Sequence, residues 1–170
     1  MGRIDILVNN AGTIRRADAL EFSERDWDDV MNLNLKSVFF LSQAVARQFI
    51  SRAAAARSLT SPRCSPSRAE FASPPIPPQR AACSAYPPDG QRMGGHRINV
   101  NAIAPGYMAT NNTRQLRDDS ERSKEILDRI PAGRWGRPDD LQGPVVFLAS
   151  AAADYVNGYT LAVDGGWLAR

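Results

Sequence analysis

The sequence predicts an α/β fold with a parallel sheet in a single domain. Two observations carry that prediction. Short apolar runs at Ile4–Val8, Ile98–Ala104 and Tyr159–Val163 each end in turn residues: Asn9-Asn10-Ala11-Gly12, Pro105-Gly106 and Asp164-Gly165-Gly166. Between them lie segments whose apolar residues recur at helical spacing. A strand whose carboxyl end opens onto amides and glycine is where open α/β sheets place ligands.

The elements follow in order. Ile4–Val8 reads as a buried strand, and Thr13–Leu20 as a loop. Ser23 is an N-cap candidate, with Asp26 three residues later and Trp27, Val30 and Met31 on one face of the helix it starts. That helix is expected to end or bend near Asn32–Asn34. A long helix then runs through Val38, Phe39, Leu41, Val45 and Phe49, apolar enough to bury most of one side. Ile98–Ala104 alternates as a strand does, and Pro105-Gly106 closes it. Ser120–Arg129 is a charged helix with Ile126 and Leu127 inward. Arg134–Asp140 is a turn with Pro138 at a helix start. Leu141–Ser150 is an apolar helix and Tyr159–Val163 the last strand, ended by Asp164-Gly165-Gly166.

The stretch 51–96 reads differently. It holds eight of the twelve prolines, both cysteines, and six arginines against only Glu70 and Asp89. The remainder carries 15 basic and 16 acidic residues, so the net charge of +3 arises wholly in this stretch. Ser, Pro, Ala and Arg dominate it without apolar periodicity, so burial is expected to fall short of the entropy of ordering it. Its arginines are scattered among prolines without interleaved aromatics, which argues against a nucleic-acid surface. Cys64, Cys83 and the sole histidine, His96, have no metal-ligand spacing, so no metal is expected. The chain has no run of 18 apolar residues and no signal-peptide pattern at Met1-Gly2-Arg3-Ile4-Asp5. No membrane association and a cytoplasmic location are the expectations.

Asn9-Asn10-Ala11-Gly12 after a buried strand resembles the short-chain dehydrogenase/reductase family. So do Asn34 within Met31-Asn32-Leu33-Asn34-Leu35-Lys36, Pro105-Gly106 followed by Thr110, Arg134-Trp135-Gly136-Arg137-Pro138, and Val163-Asp164-Gly165-Gly166. They come in the family's order and spacing, and 1–50 and 97–170 are similar throughout to its 2-deoxy-D-gluconate-type sugar-acid dehydrogenases. The resemblance implies a partial Rossmann-like, doubly wound parallel sheet, incomplete in this chain. It also implies hydride transfer between NAD, or NADP, and a deoxy or keto-deoxy sugar acid, and a homotetramer for the intact family.

By the same resemblance, Asn34 matches the catalytic Asn, which sits at a helix irregularity. The alternative is an ordinary Asn between two helices. Asn9, Ala11 and Gly12 match positions that line the adenine-ribose side of the cofactor and steady the sheet. Pro105 and Gly106 match the loop under the nicotinamide, and Thr110 the hydroxyl near its carboxamide. Without the surrounding motifs, a plain turn would explain Pro105-Gly106. Arg134, Trp135 and Asp164 are expected to be structural.

Other family features have no counterpart in the sequence. The only glycines in the first half are Gly2 and Gly12, with no G-x-G-x-x-G, so the chain is expected to start after the family's glycine-rich unit. Four residues after Tyr86, Tyr107, Tyr155 and Tyr159 come Gly90, Asn111, Tyr159 and Val163, and the only lysines are Lys36 and Lys124. The family's Tyr-x-x-x-Lys pair is therefore missing, and so is its catalytic Ser. We read 51–96 as frame-shifted translation. DNA encoding Ala56–Cys64 can also read Gly-Lys-Ile-Leu-Asn-Ile-Ala-Ser-Met, and DNA encoding Pro74–Arg80 can read Pro-Ser-Tyr-Thr-Ala-Ser-Lys. The expectation is an inactive chain as written, and the alternative role is a non-catalytic remnant or subunit-binding fragment.

Overall fold

The computed structural model describes residues 3–15, 17–18, 20–52, 56–60 and 93–169. Four strands, β1 (Ile6–Asn9), β2 (Ala56–Thr60), β3 (Ile98–Pro105) and β4 (Thr160–Val163), form one sheet in the order β1-β2-β3-β4. Each neighbouring pair is parallel, so the four carboxyl ends lie along one side of the sheet.

Helices cover both faces because strand side chains alternate. Ile98 and Val100 of β3 pack with Leu7 and Ala56 against Val45 and Phe49. The last two belong to α2 (Ser37–Ser51). Ile103, one register off, packs on the other face with Leu148 of α5 (Gln142–Ala149), together with Leu161 and Val163. Two further helices, α3 (Arg114–Asp118) and α4 (Ser120–Asp128), lie between β3 and α5 in the chain. Ile126 of α4 meets Ile130 and Trp167 in a third cluster, bordered by Tyr107 and Trp135. The Tyr107 ring stands edge-on to Trp135 at 5.6 Å and tilted to Trp167 at 4.9 Å.

Ser23 caps α1 (Glu24–Met31): its hydroxyl accepts from the Asp26 N–H at 3.1 Å and donates to the Asp26 carboxylate at 2.8 Å. The expected end or bend near Asn32–Asn34 is instead a widened π turn, Asn32–Lys36, continuous with α2. β3 is buried on both faces rather than alternating with solvent. A central parallel strand has helices above and below, and its asparagines bond inward. Asn101 donates to the Val156 carbonyl at 2.9 Å and accepts from the Tyr159 N–H at 3.1 Å. Asn99 donates to the carbonyls of Asp154 and Val156, each at 2.9 Å.

The second strand corrects the reading of 51–96. Ala56–Thr60, within the stretch for which composition predicts no packed element, occupies the middle of the sheet between β1 and β3. A ladder is bonded through the backbone, which composition does not weigh. Ala56 is small enough to be buried against Phe49 and Val100. Arg57 lies beside Asn99, donating to its side-chain oxygen at 3.0 Å, and is ion-paired to Asp154. Its side chain is 12% exposed, and its charged end reaches the surface carboxylate. Cys64, Cys83, Tyr86 and the rest of 61–92 lie outside the described residues.

Just before β3, Arg97 adopts φ 62°, the left-handed region that L side chains disfavour by about 1–2 kcal/mol. Arg97→Gly should therefore raise the unfolding free energy by about 1 kcal/mol, after the extra chain entropy of glycine is subtracted. Urea unfolding of the two chains measures it. An equal or lower midpoint for the glycine variant would show that the turn is not strained.

Candidate functional site

Two groups of residues meet the carboxyl ends of the strands, one on each side of β2. The first is built on β1. Asn9, its last residue, is 5% exposed and donates to the Ser42 hydroxyl of α2 at 2.9 Å. It points into the protein and pins the strand end to the helix. Asn10 and Ala11 beyond it are exposed and Gly12 is half-buried, so small groups and bare backbone form the opening. Asn34 closes this group. Its side-chain oxygen accepts from the Thr13 N–H and its amide donates to the Thr13 carbonyl, both at 2.8 Å. A π turn and the loop after Gly12 are thereby held as one unit, and both backbone groups of Thr13 are matched.

The second group is built on β3 and β4. Pro105 ends β3, and the Gly106 N–H donates to the Val163 carbonyl of β4 at 3.0 Å. A methyl group at Gly106 would stand 2.6 Å from the Asp164 Cα, so only glycine lets these backbones approach so closely. Asp164 turns the chain after β4, its carboxylate accepting from the N–H groups of Gly166 and Leu168. Thr110 follows in a short loop, its N–H donating to the Thr113 hydroxyl at 3.1 Å. The first and second groups are separated by β2, two interstrand spacings or about 9–10 Å.

Behind the second group, Arg134 grips Asp140 through two bonds, 2.7 and 3.0 Å long. The Arg137 N–H adds a third at 2.7 Å. The Arg134 guanidinium, and then that N–H, hold the Asp140 carboxyl well below the usual carboxylate range. Trp135 packs on Tyr107, and its indole N–H donates to the Ser123 hydroxyl at 3.2 Å. Among the described residues, no His, Cys, Asp or Glu group is arranged to hold a metal, and no helix is long and apolar enough to cross a membrane.

Sequence reasoning did not single out Ser42, Thr13 or Thr113. Ser42 sits eight residues after Asn34, on the α2 face below β1. Thr113 sits three after Thr110, a spacing that suits a local hydroxyl–backbone bond. Both were visible as polar residues at helical or turn spacing, but their partners come from the fold.

The chain matches the family model described as enoyl-(acyl carrier protein) reductase over residues 1–168. It is 62% identical to the 2-dehydro-3-deoxy-D-gluconate 5-dehydrogenase of Dickeya dadantii over 99% of this chain and 67% of that protein. The Escherichia coli enzyme of the same name is 61% identical over the same shares. Among solved structures, a protein from Agrobacterium tumefaciens described as a 2-deoxy-D-gluconate 3-dehydrogenase, with bound NADP, superposes with a TM-score of 0.90. It is 49% identical, over 98% of this chain and 68% of that one. A gluconate 5-dehydrogenase from Burkholderia cenocepacia, in complex with NADP and tartrate, superposes at 0.85. Its identity is 43%, over 99% of this chain and 66% of that one.

Proposed function

Because the chain belongs to the short-chain dehydrogenase/reductase family, whose members are NAD(P)-dependent oxidoreductases, we propose that its strand ends form the nicotinamide side of a sugar-acid dehydrogenase site. The substrate class is a deoxy or keto-deoxy sugar acid of the 2-deoxy-D-gluconate type. One observation carries the reading: the Ala11–Gly12 opening fixed by Asn34, and the Pro105–Gly106–Thr110 loop, lie on the same side of a parallel sheet. That is the side on which open α/β sheets bind ligands.

The residues present fit a flat ring and its amide. Ala11 and Gly12 put nothing larger than a methyl group at the β1 opening, and the loop that carries Thr110 is held by its neighbours. Bound there, a nicotinamide supplies the hydride chemistry, and the protein orients it. Asn9, Asn34 and Ser42 keep the first group rigid, and Asp164 keeps the second. The sequence has no glycine-rich spacing of the kind that cradles a pyrophosphate.

A second reading, in which this chain is a non-catalytic remnant, has its own support. Tyr155 and Tyr159 precede β4 and so lie toward the amino ends of the strands, away from the site. Tyr107 is packed between two tryptophans. Lys36 and Lys124 are exposed on the π turn and α4.

Cofactor binding separates the two readings. A site that binds NADH or NADPH with a Kd of ~10 μM should gain about 2.7 kcal/mol at 1 mM cofactor. For a chain of this size that is a rise in Tm of about 5–10 °C. No shift with either nucleotide would favour the remnant.

A further inference from the structure

Resting on that reading, we propose that Thr113, backed by Arg117, is the positioning residue that fixes the Thr110 loop against the nicotinamide end of the cofactor. The Thr113 hydroxyl has one proton to give. Its nearest acceptor is the Met108 carbonyl at 2.6 Å, so the proton goes there. A lone pair on the same oxygen accepts the Thr110 N–H at 3.1 Å, an N–H that the Met108 carbonyl also accepts at 2.9 Å. The Thr110 carbonyl is left to the Thr113 N–H at 3.2 Å and to one terminal nitrogen of Arg117, also at 3.2 Å. With its N–H shared between the Thr113 hydroxyl and the Met108 carbonyl, Thr110 is held at both its backbone groups from both sides along the chain.

The other flank is equally fixed. The Ala109 N–H donates to the Gly136 carbonyl at 2.7 Å, and the Gly136 N–H donates to the Tyr107 carbonyl at 2.9 Å. Tyr107 in turn is locked among Trp135 and Trp167. The loop from Tyr107 to Thr113 is therefore preorganised on both sides.

Arg117 shows that this placement has a cost. Its Nε is buried with no acceptor among the described residues. An unmatched buried donor lowers stability, and most such donors in proteins are matched. The guanidinium is aimed so that its terminal nitrogen reaches the Thr110 carbonyl.

Thr113→Val keeps the shape and removes the hydroxyl, whereas Thr113→Ser keeps the hydroxyl. On the full chain, NADPH and 2′-phospho-ADP-ribose, which lacks the nicotinamide, are titrated in parallel. Thr113→Val should weaken NADPH binding about tenfold, the worth of one or two net hydrogen bonds. It should leave 2′-phospho-ADP-ribose within about twofold, and Thr113→Ser should restore NADPH binding. Without any ligand, hydrogen exchange at the Thr110 amide should quicken about threefold in the valine variant, since the Met108 carbonyl still accepts that N–H, and not in the serine variant. Equal weakening of both ligands, or no weakening of NADPH, overturns the positioning role alone. A wild-type chain that binds neither ligand overturns the cofactor reading and the positioning role together, and is recognised before any variant is made.

Discussion

Given NAD or NADP and a 2-deoxy-D-gluconate-type acid, the chain should reduce the cofactor roughly 10²–10⁴ times more slowly than a relative with a Tyr-x-x-x-Lys pair. That is the usual contribution of a positioned acid–base group. The alcohol proton must leave as the hydride leaves, and a phenol at its ordinary pKa holds its own proton too firmly to take it. A lysine cation beside it would lower that pKa. No tyrosine of this sequence has a lysine four residues on, and no lysine at all occurs between Lys36 and Lys124. The coding DNA provides the companion measurement. Read one base out of step across 51–96, it should yield the Ser strand and the Tyr-x-x-x-Lys helix. Turnover close to that of the relatives, from DNA that confirms the printed frame, would refute both the inactivity and its explanation.

Phe49→Ala should cost about 3–5 kcal/mol, the range for truncating a fully buried aromatic. Phe49 is 1% exposed and packs with Val45, Ala56, Ile98 and Val100, so it joins α2 to the two central strands. Its neighbours are held by a helix and a parallel ladder and cannot close over the space. The term is therefore a cavity as well as lost burial. Phe49→Leu, which refills most of that space, should cost about 1–1.5 kcal/mol. The damage would reach the site, because α2 also carries Ser42, the partner of Asn9. Urea unfolding followed by circular dichroism gives both values. A loss below about 1 kcal/mol for the alanine variant would mean that α2 is not part of the cooperative core.

The fold was legible where apolar pattern and turn chemistry agree. Ile6–Asn9, Ile98–Pro105 and Thr160–Val163 lie within a residue or two of the runs that announced them, and Ser23 caps the helix it was expected to cap. The interruption near Asn34 was also legible, but not its form, since a widened turn differs from a helix end only in how the backbone bonds. The candidate site was half legible. Asn34, Gly12 and Pro105-Gly106 stand out as local signals, whereas their roles depend on Thr13, Asp164 and Thr113. Asp164 stands in a turn motif and Thr113 at a turn spacing, but which groups Thr13, Asp164 and Thr113 bond is set by the fold. The helices at Arg114–Asp118 and Trp167–Ala169 are short and carry no clear period, so nothing in the sequence marked them.

The place taken by Ala56–Thr60 says something about what a sheet asks of its middle strand. The bonds to β1 and β3 run through N–H and C=O groups, which every residue except proline brings in full. Such a berth is open to almost any short text that is small where the helix presses, as Ala56 is, and long-limbed where a charge must find water, as Arg57 is. Architecture of this kind is tolerant of misspelling. Such a place is closed only to proline within the strand, and here the first proline after Ala56–Thr60 is Pro62, two residues past its end.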